Sequence, residues 1–129
     1  AAIDLAALRE NLAALGARTD AALMAVVKAD AYGHGALPCA REAVAAGVRW
    51  LGTATPEEAL ALRAAGIRPE QARILCWLWT PGGPWAQALR SHVDVSVSGR
   101  WATAISLAWA RGTSAANWTG NLSCWMYRS

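Results

Sequence analysis

The residues best suited to chemistry lie together in the segment "VVKADAYGHG", residues 26–35. The chain has 12 Lys and Arg residues, and Lys28 is the one lysine among them. A lysine amine can form a Schiff base with the carbonyl group of a cofactor or substrate, whereas a guanidinium stays protonated and cannot. Lys28 is therefore the first candidate for a cofactor-binding or catalytic residue.

The residues that follow Lys28 add to this candidate site. Tyr32 lies four positions further on, and Gly33 and Gly35 flank His34. A tyrosine hydroxyl can donate a hydrogen bond to a phosphate, and glycines let the backbone turn tightly and approach a ligand. A structural lysine, whose stem packs on apolar residues while its amine reaches water, is the alternative that position alone leaves open. We interpret His34 as a structural hydrogen-bonding residue.

Four apolar runs, separated by helical patterns, are the elements that must position this segment. They predict strands at residues 22–29, 50–54, 73–79 and 93–99, the first of them buried on both faces. This alternation predicts an α/β fold with a parallel sheet, either doubly wound or part of a (β/α)8 barrel. A complete barrel needs about 250 residues, so about four βα units would form a partial barrel. Lys28 then lies at the carboxyl end of the first strand, where ligands bind in both architectures.

The helices carry recognisable boundary signals. Asp4 is a good N-cap for a first helix that Gly16 ends, and Thr55 with Glu58 predicts a capping box. We expect Pro38 to be the first residue of its helix. The preceding segment "DAYGHGA" is predicted to be a loop.

The composition excludes several functional classes. The 129 residues are 55% hydrophobic and 16% charged, with a net charge of +3, which is typical of a globular domain. The scattered arginines indicate solvated helix faces and argue against nucleic-acid binding. Cys39, Cys76 and Cys124 are too far apart for a metal or redox motif, and we expect Cys76 to be buried. This cysteine pattern fits a reducing cytosol, and the sequence shows neither an apolar run long enough to span a membrane nor a signal peptide.

Several segments together resemble one protein family. The motif "AVVKADAYGHG" resembles the pyridoxal-phosphate signature of alanine racemases, and "AAIDLAALRENLAAL" resembles their opening strand and helix. The segments "WLGTATPEEALALRAAGI" and "RILCWLW" resemble the second βα unit and the third strand. The resemblance extends over about residues 1–100 and is strongest to actinobacterial members.

The resemblance implies a function and a set of site residues. Lys28 would carry pyridoxal 5'-phosphate and act as the base on one face of the substrate, and Tyr32 would hydrogen-bond the cofactor phosphate. Val26 and Trp77 match positions that line the cofactor cleft. The family's reaction interconverts L- and D-alanine for cell-wall peptidoglycan, in a cytoplasmic homodimer with a barrel and a second domain. No metal is implied.

Other parts of the family pattern are absent from this sequence. The opposite-face base is a tyrosine of the second domain, and Tyr127, the only other tyrosine here, does not match its motif. We expect residues 1–111 to form the amino-terminal half of the barrel and residues 112–129 an aperiodic tail, from truncation or a frameshift. The alternatives are a non-catalytic module that binds pyridoxal phosphate, a decarboxylase or aldolase on the same barrel, and a non-functional translation product.

Overall fold

A computed structural model describes residues 3–78 and 82–96. Nine elements follow one another along this part of the chain: α1 Leu5–Gly16, β1 Met24–Val26, α2 Lys28–Gly33, α3 Ala36–Ala45, β2 Trp50–Thr53, α4 Pro56–Ala64, β3 Arg73–Cys76, α5 Trp85–Arg90 and β4 Val93–Val95. They belong to one compact unit, Ala1–Val95. Within the described residues, no helix is both long and apolar enough to cross a membrane.

The four strands form a parallel sheet in the order β1-β2-β3-β4. This confirms the predicted α/β fold with about four βα units. A doubly wound sheet reverses its strand order at a switch point. The four described strands follow one another without a reversal, which matches the progression of strands around a barrel.

The predicted helix caps are confirmed. Asp4 Oδ1 accepts hydrogen bonds from the backbone N–H groups of Ala6 and Ala7, at 3.0 and 3.1 Å, and so starts α1. Thr55 and Glu58 form the capping box of α4. Because these signals involve residues two or three positions apart, they can be read directly from the sequence.

Several predicted boundaries or conformations differ in the structure. The first strand is three residues long, because Lys28 already belongs to the next element. The predicted loop after it is instead the short helical segment α2, and Ala36, not Pro38, is the first residue of α3. The third strand also ends earlier than predicted, at Cys76: Trp77 and Leu78 are not part of a strand, and residues 79–81 lie outside the described residues.

The two faces of the sheet have different surroundings. Leu51, Ile74 and Val93 are paired in register and are at most 2% exposed, within the core that the sheet shares with the helices. On the opposite face, Met24 and Val26 are 37% and 43% exposed. The prediction that the first strand is buried on both faces is therefore wrong for the described part of the chain, where helices cover only one face.

Arg63 corrects the interpretation of every arginine as a solvated residue. Its guanidinium is half-buried and donates hydrogen bonds to four backbone carbonyls, those of Ile67, Ala72, Ser91 and His92, at 2.8–3.0 Å. Burial lowers the pKa of this guanidinium. Arg63 therefore ties the end of α4 to the segments that precede β3 and β4.

The remaining sequence predictions concern residues that the structure does not describe. The fourth predicted strand is present as β4, which ends at Val95; Ser96 is not part of it, and residues 97–99 lie outside the described residues. The same holds for the helix expected after it, the tail and the predicted domain boundary between residues 111 and 112, which stays a prediction.

Candidate functional site

Lys28 is placed at the carboxyl end of β1, as predicted. The last residue of the strand, Val26, pairs with Gly52 of β2, and Val27 donates its N–H to the Gly52 carbonyl at 2.9 Å. The Lys28 amine lies beside the Trp77 ring, and that ring lies against Gly52 next to the exposed Met24, on the face of the sheet that the helices leave open. The lysine side chain therefore leaves the strand end on the open face of the sheet.

Two aromatic rings flank the Lys28 amine. Its Nζ atom lies 5.8 Å from the centroid of the Tyr32 ring and 5.7 Å from that of Trp77. None of the three ion pairs found among the described residues involves Lys28. The structure thus brings together Lys28, Tyr32 and Trp77, three of the four site residues predicted from the sequence. The fourth, Val26, is the last residue of β1, two positions before Lys28, and lies on the same face of the sheet.

The segment α2 winds with left-handed geometry. Ala29, Asp30, Ala31 and Tyr32 have φ between 51° and 56° and ψ between 38° and 48°. This region costs a residue with a Cβ atom about 1–2 kcal/mol, so the surrounding structure must stabilise it. The turn reverses the chain directly after Lys28 and brings the Tyr32 ring, which is 65% exposed, back beside the amine.

Asp30 closes this turn against the following helix. Its Oδ1 atom accepts a hydrogen bond from the Ala36 N–H at 2.7 Å, and its backbone carbonyl accepts one from Gly35 at 2.9 Å. The carboxylate therefore caps α3 from six residues away. His34 Nδ1 lies 3.3 Å from the Tyr32 carbonyl, a structural contact of the kind expected for this histidine.

Gly52 determines where Trp77 can lie. A Cβ atom built on Gly52 would be 2.7 Å from Trp77 Cζ3 and 3.1 Å from Met24 Sδ. Such distances are far shorter than an ordinary carbon–carbon contact. The absence of a side chain at position 52 thus lets the indole lie across β2, close to the amine of Lys28.

Glu58 also belongs to this site, although the sequence analysis identified it only as a helix-capping residue. One carboxylate oxygen, Oε2, accepts from the Thr55 N–H at 3.3 Å, as a capping box requires, and also from the Ala54 N–H at 2.8 Å. The other oxygen, Oε1, accepts from the N–H of Ala29 at 2.7 Å. The capping motif identified Glu58, but this contact spans 29 residues and has no local signature.

The described residues hold other polar groups, but they do not form a second site. No group of three or more His, Cys, Asp or Glu side chains within residues 3–78 and 82–96 could hold a metal ion. Cys39 and Cys76 are free and buried. Burial raises the pKa of the Cys76 thiol to about 11, so this thiol stays protonated at neutral pH.

Comparison with known proteins gives one consistent family. The family model described as "Alanine racemase, N-terminal domain" matches residues 3–119. The alanine racemase of Streptomyces coelicolor is 70% identical over 105 residues, which are 79% of this chain and 27% of that protein. The alanine racemase of Frankia casuarinae is 54% identical over 114 residues, 88% of this chain and 29% of that protein.

The solved structures agree with the sequence matches. The crystal structure of the Streptomyces lavendulae alanine racemase aligns with a TM-score of 0.76 and 64% identity, over 84% of this chain and 28% of that one. This chain spans about a quarter to three tenths of the length of these relatives. The match over residues 3–119, together with the shared parallel sheet, shows that the chain belongs to the alanine racemase N-terminal domain family.

Proposed function

We propose that this chain provides the cofactor-binding part of a pyridoxal-phosphate-dependent alanine racemase. The observation that carries the proposal is the placement of Lys28. It lies at the end of a parallel strand, and a left-handed turn brings Tyr32 back beside its amine. Family membership supports the reaction class, an isomerisation of an amino acid.

The residues present fit pyridoxal phosphate in chemical terms. A primary amine can attach covalently to the aldehyde carbon of the cofactor with loss of one water. Two aromatic rings within 5.8 Å of Nζ offer apolar faces to a planar ring. The exposed hydroxyl of Tyr32 can donate to a phosphate oxygen. Val26, which is 43% exposed on the same face, adds an apolar wall.

The chain's own residues would act as follows. When bound, the cofactor supplies an electron sink that stabilises negative charge on the α-carbon of the substrate. Lys28 Nζ takes the α-proton from one face of alanine or returns it there. Tyr32 orients the phosphate end, and the Trp77 ring restricts water on one side of the amine. The α-carbon loses one proton and gains one. The composition therefore does not change between L- and D-alanine, and no oxidant is needed.

Racemisation requires a second proton-transfer group on the opposite face. In this proposal Lys28 transfers the proton on one face and Tyr32 contacts the phosphate, so the second proton-transfer group is proposed to come from a second domain of a partner subunit. The homodimer, a cytoplasmic location and a role in supplying D-alanine to the cell wall are part of the same proposal.

Exchange of the α-proton of alanine in heavy water tests this function. With pyridoxal phosphate added, the 129-residue chain should exchange the α-proton of one enantiomer only, because Lys28 serves one face. A Lys28→Arg variant should lose this exchange. Equal exchange in the variant would contradict the role of Lys28. No exchange at all, with the cofactor bound at Lys28, would favour a non-catalytic binding module.

A further inference from the structure

Both peptide planes that flank Lys28 are held by hydrogen bonds. The peptide unit between Val27 and Lys28 is fixed through the Val27 carbonyl, which accepts from Ala31 N–H at 3.0 Å. The unit between Lys28 and Ala29 is fixed through the Ala29 N–H, which donates to Glu58 Oε1 at 2.7 Å. Because peptide units are planar, these two contacts restrict φ and ψ of Lys28 and with them the direction of its Cα–Cβ bond.

Glu58 is the one side chain in this pair of contacts. The first contact joins two backbone groups within the turn, so a substitution cannot remove it selectively. The second comes from the first turn of α4, whose capping box anchors the same carboxylate through Ala54 and Thr55. The Glu58 carboxylate therefore links the backbone next to Lys28 to the start of α4 and the end of β2.

From this geometry we propose that Glu58 is a positioning residue, which aims the Lys28 amine between Tyr32 and Trp77 for covalent attachment of an aromatic aldehyde. The inference rests on the proposed function, since it assumes that Lys28 binds pyridoxal phosphate. It assigns to Glu58 a role beyond its helix cap. Glu58 itself does not touch the reacting atoms in this role.

The Glu58→Gln variant separates the two roles of the carboxylate. A glutamine has one carbonyl oxygen, and its amide nitrogen cannot accept a hydrogen bond. Two backbone donors lie on the Oε2 side and one on the Oε1 side. We therefore expect the glutamine carbonyl to stay with the cap and the Ala29 N–H to lose its partner.

Matched controls are available on the same helix. Glu57→Gln removes the same charge from the neighbouring position of the first turn, and Glu57 makes none of the contacts to Ala29. Thr55→Ala removes the hydroxyl that accepts from the Glu58 N–H at 3.3 Å and weakens the cap alone. Both controls keep the carboxylate of Glu58.

Three rates are measured on the 129-residue chain. They are the hydrogen exchange of the Ala29 amide, the acetylation of Lys28 by acetic anhydride, and the attachment of pyridoxal phosphate to Lys28, trapped with borohydride. In Glu58→Gln, Ala29 should exchange faster and attachment should slow about fivefold, which matches the loss of one hydrogen bond of ordinary net strength. Acetylation should stay unchanged, because that small reagent does not need an aimed amine. In Glu57→Gln and Thr55→Ala, attachment should match the wild type.

The outcomes that would overturn the proposal are distinct from one another. Wild-type attachment rates in Glu58→Gln would overturn the positioning role while leaving Lys28 as the anchor. Equal slowing of attachment and acetylation, or the same slowing in Thr55→Ala, would reduce Glu58 to a structural cap. No trapped adduct at Lys28 in the wild-type chain would refute the proposed function, and the positioning role with it.

Discussion

The left-handed turn at α2 predicts that an alanine-to-glycine substitution stabilises the protein there, whereas it destabilises an ordinary helix. Ala29 has φ 51° and ψ 48° and is exposed. Glycine adopts this conformation without the penalty of a Cβ atom, so Ala29→Gly removes about 1–2 kcal/mol of local cost. The greater conformational freedom of glycine in the unfolded chain lowers the free energy of unfolding by about 0.5–1 kcal/mol. We therefore expect Ala29→Gly to raise the free energy of unfolding by about 0.5–1 kcal/mol.

The same substitution in a right-handed helix provides the control. Ala14 is exposed within α1, and Ala14→Gly should lower the free energy of unfolding by about 1 kcal/mol. Urea unfolding followed by circular dichroism gives both values by linear extrapolation. If Ala29→Gly lowers the free energy of unfolding as much as Ala14→Gly does, the left-handed conformation at residue 29 is refuted.

Three further predictions follow from single residues. Arg63→Met removes four hydrogen bonds to backbone carbonyls and should lower the free energy of unfolding by about 3 kcal/mol; a loss below about 1 kcal/mol in urea unfolding would contradict this. Gly52→Ala should displace the Trp77 ring, since the new Cβ would lie 2.7 Å from Cζ3, and should slow pyridoxal-phosphate attachment at Lys28; a crystal structure with the ring unmoved would argue against it. The pKa of Cys76 is raised from 9.0 to about 11, so its contribution to stability is complete below pH 9 and is lost as the pH rises to about 11. Stability should fall less steeply over this range in Cys76→Ala, and an equal slope would show that this thiol is not the cause.

Local signals made much of the fold predictable. The caps at Asp4 and Thr55 and the apolar runs of the strands depend on neighbours within a few residues, so the order of elements could be read from the sequence. Choosing between a barrel and a doubly wound sheet required the pairing of the strands, because both architectures share the same alternation of strands and helices.

The conformation of the site was less predictable than its residues. Lys28 and Tyr32 were expected at the strand end, but the left-handed turn between them contains Ala29 and Ala31, which have no preference for positive φ. The turn is stabilised by contacts from Glu58 and from the side chain of Asp30 to α3. The first contact spans 29 residues and the second six, which is beyond the spacing of helix and turn patterns, so the sequence alone predicts a loop for this segment.

Mapping the covalent adduct of pyridoxal phosphate tests the central claim most directly. The amine forms a bond to the aldehyde carbon, the oxygen leaves as water, and borohydride then delivers hydride to that carbon, which makes the adduct stable. Lys28 is the one lysine of the chain, so peptide mass spectrometry distinguishes it from the terminal amine. We predict one labelled peptide containing Lys28, and none in Lys28→Arg. Labelling confined to the terminal amine, or equal labelling in the variant, would contradict the assignment of Lys28 as the cofactor anchor.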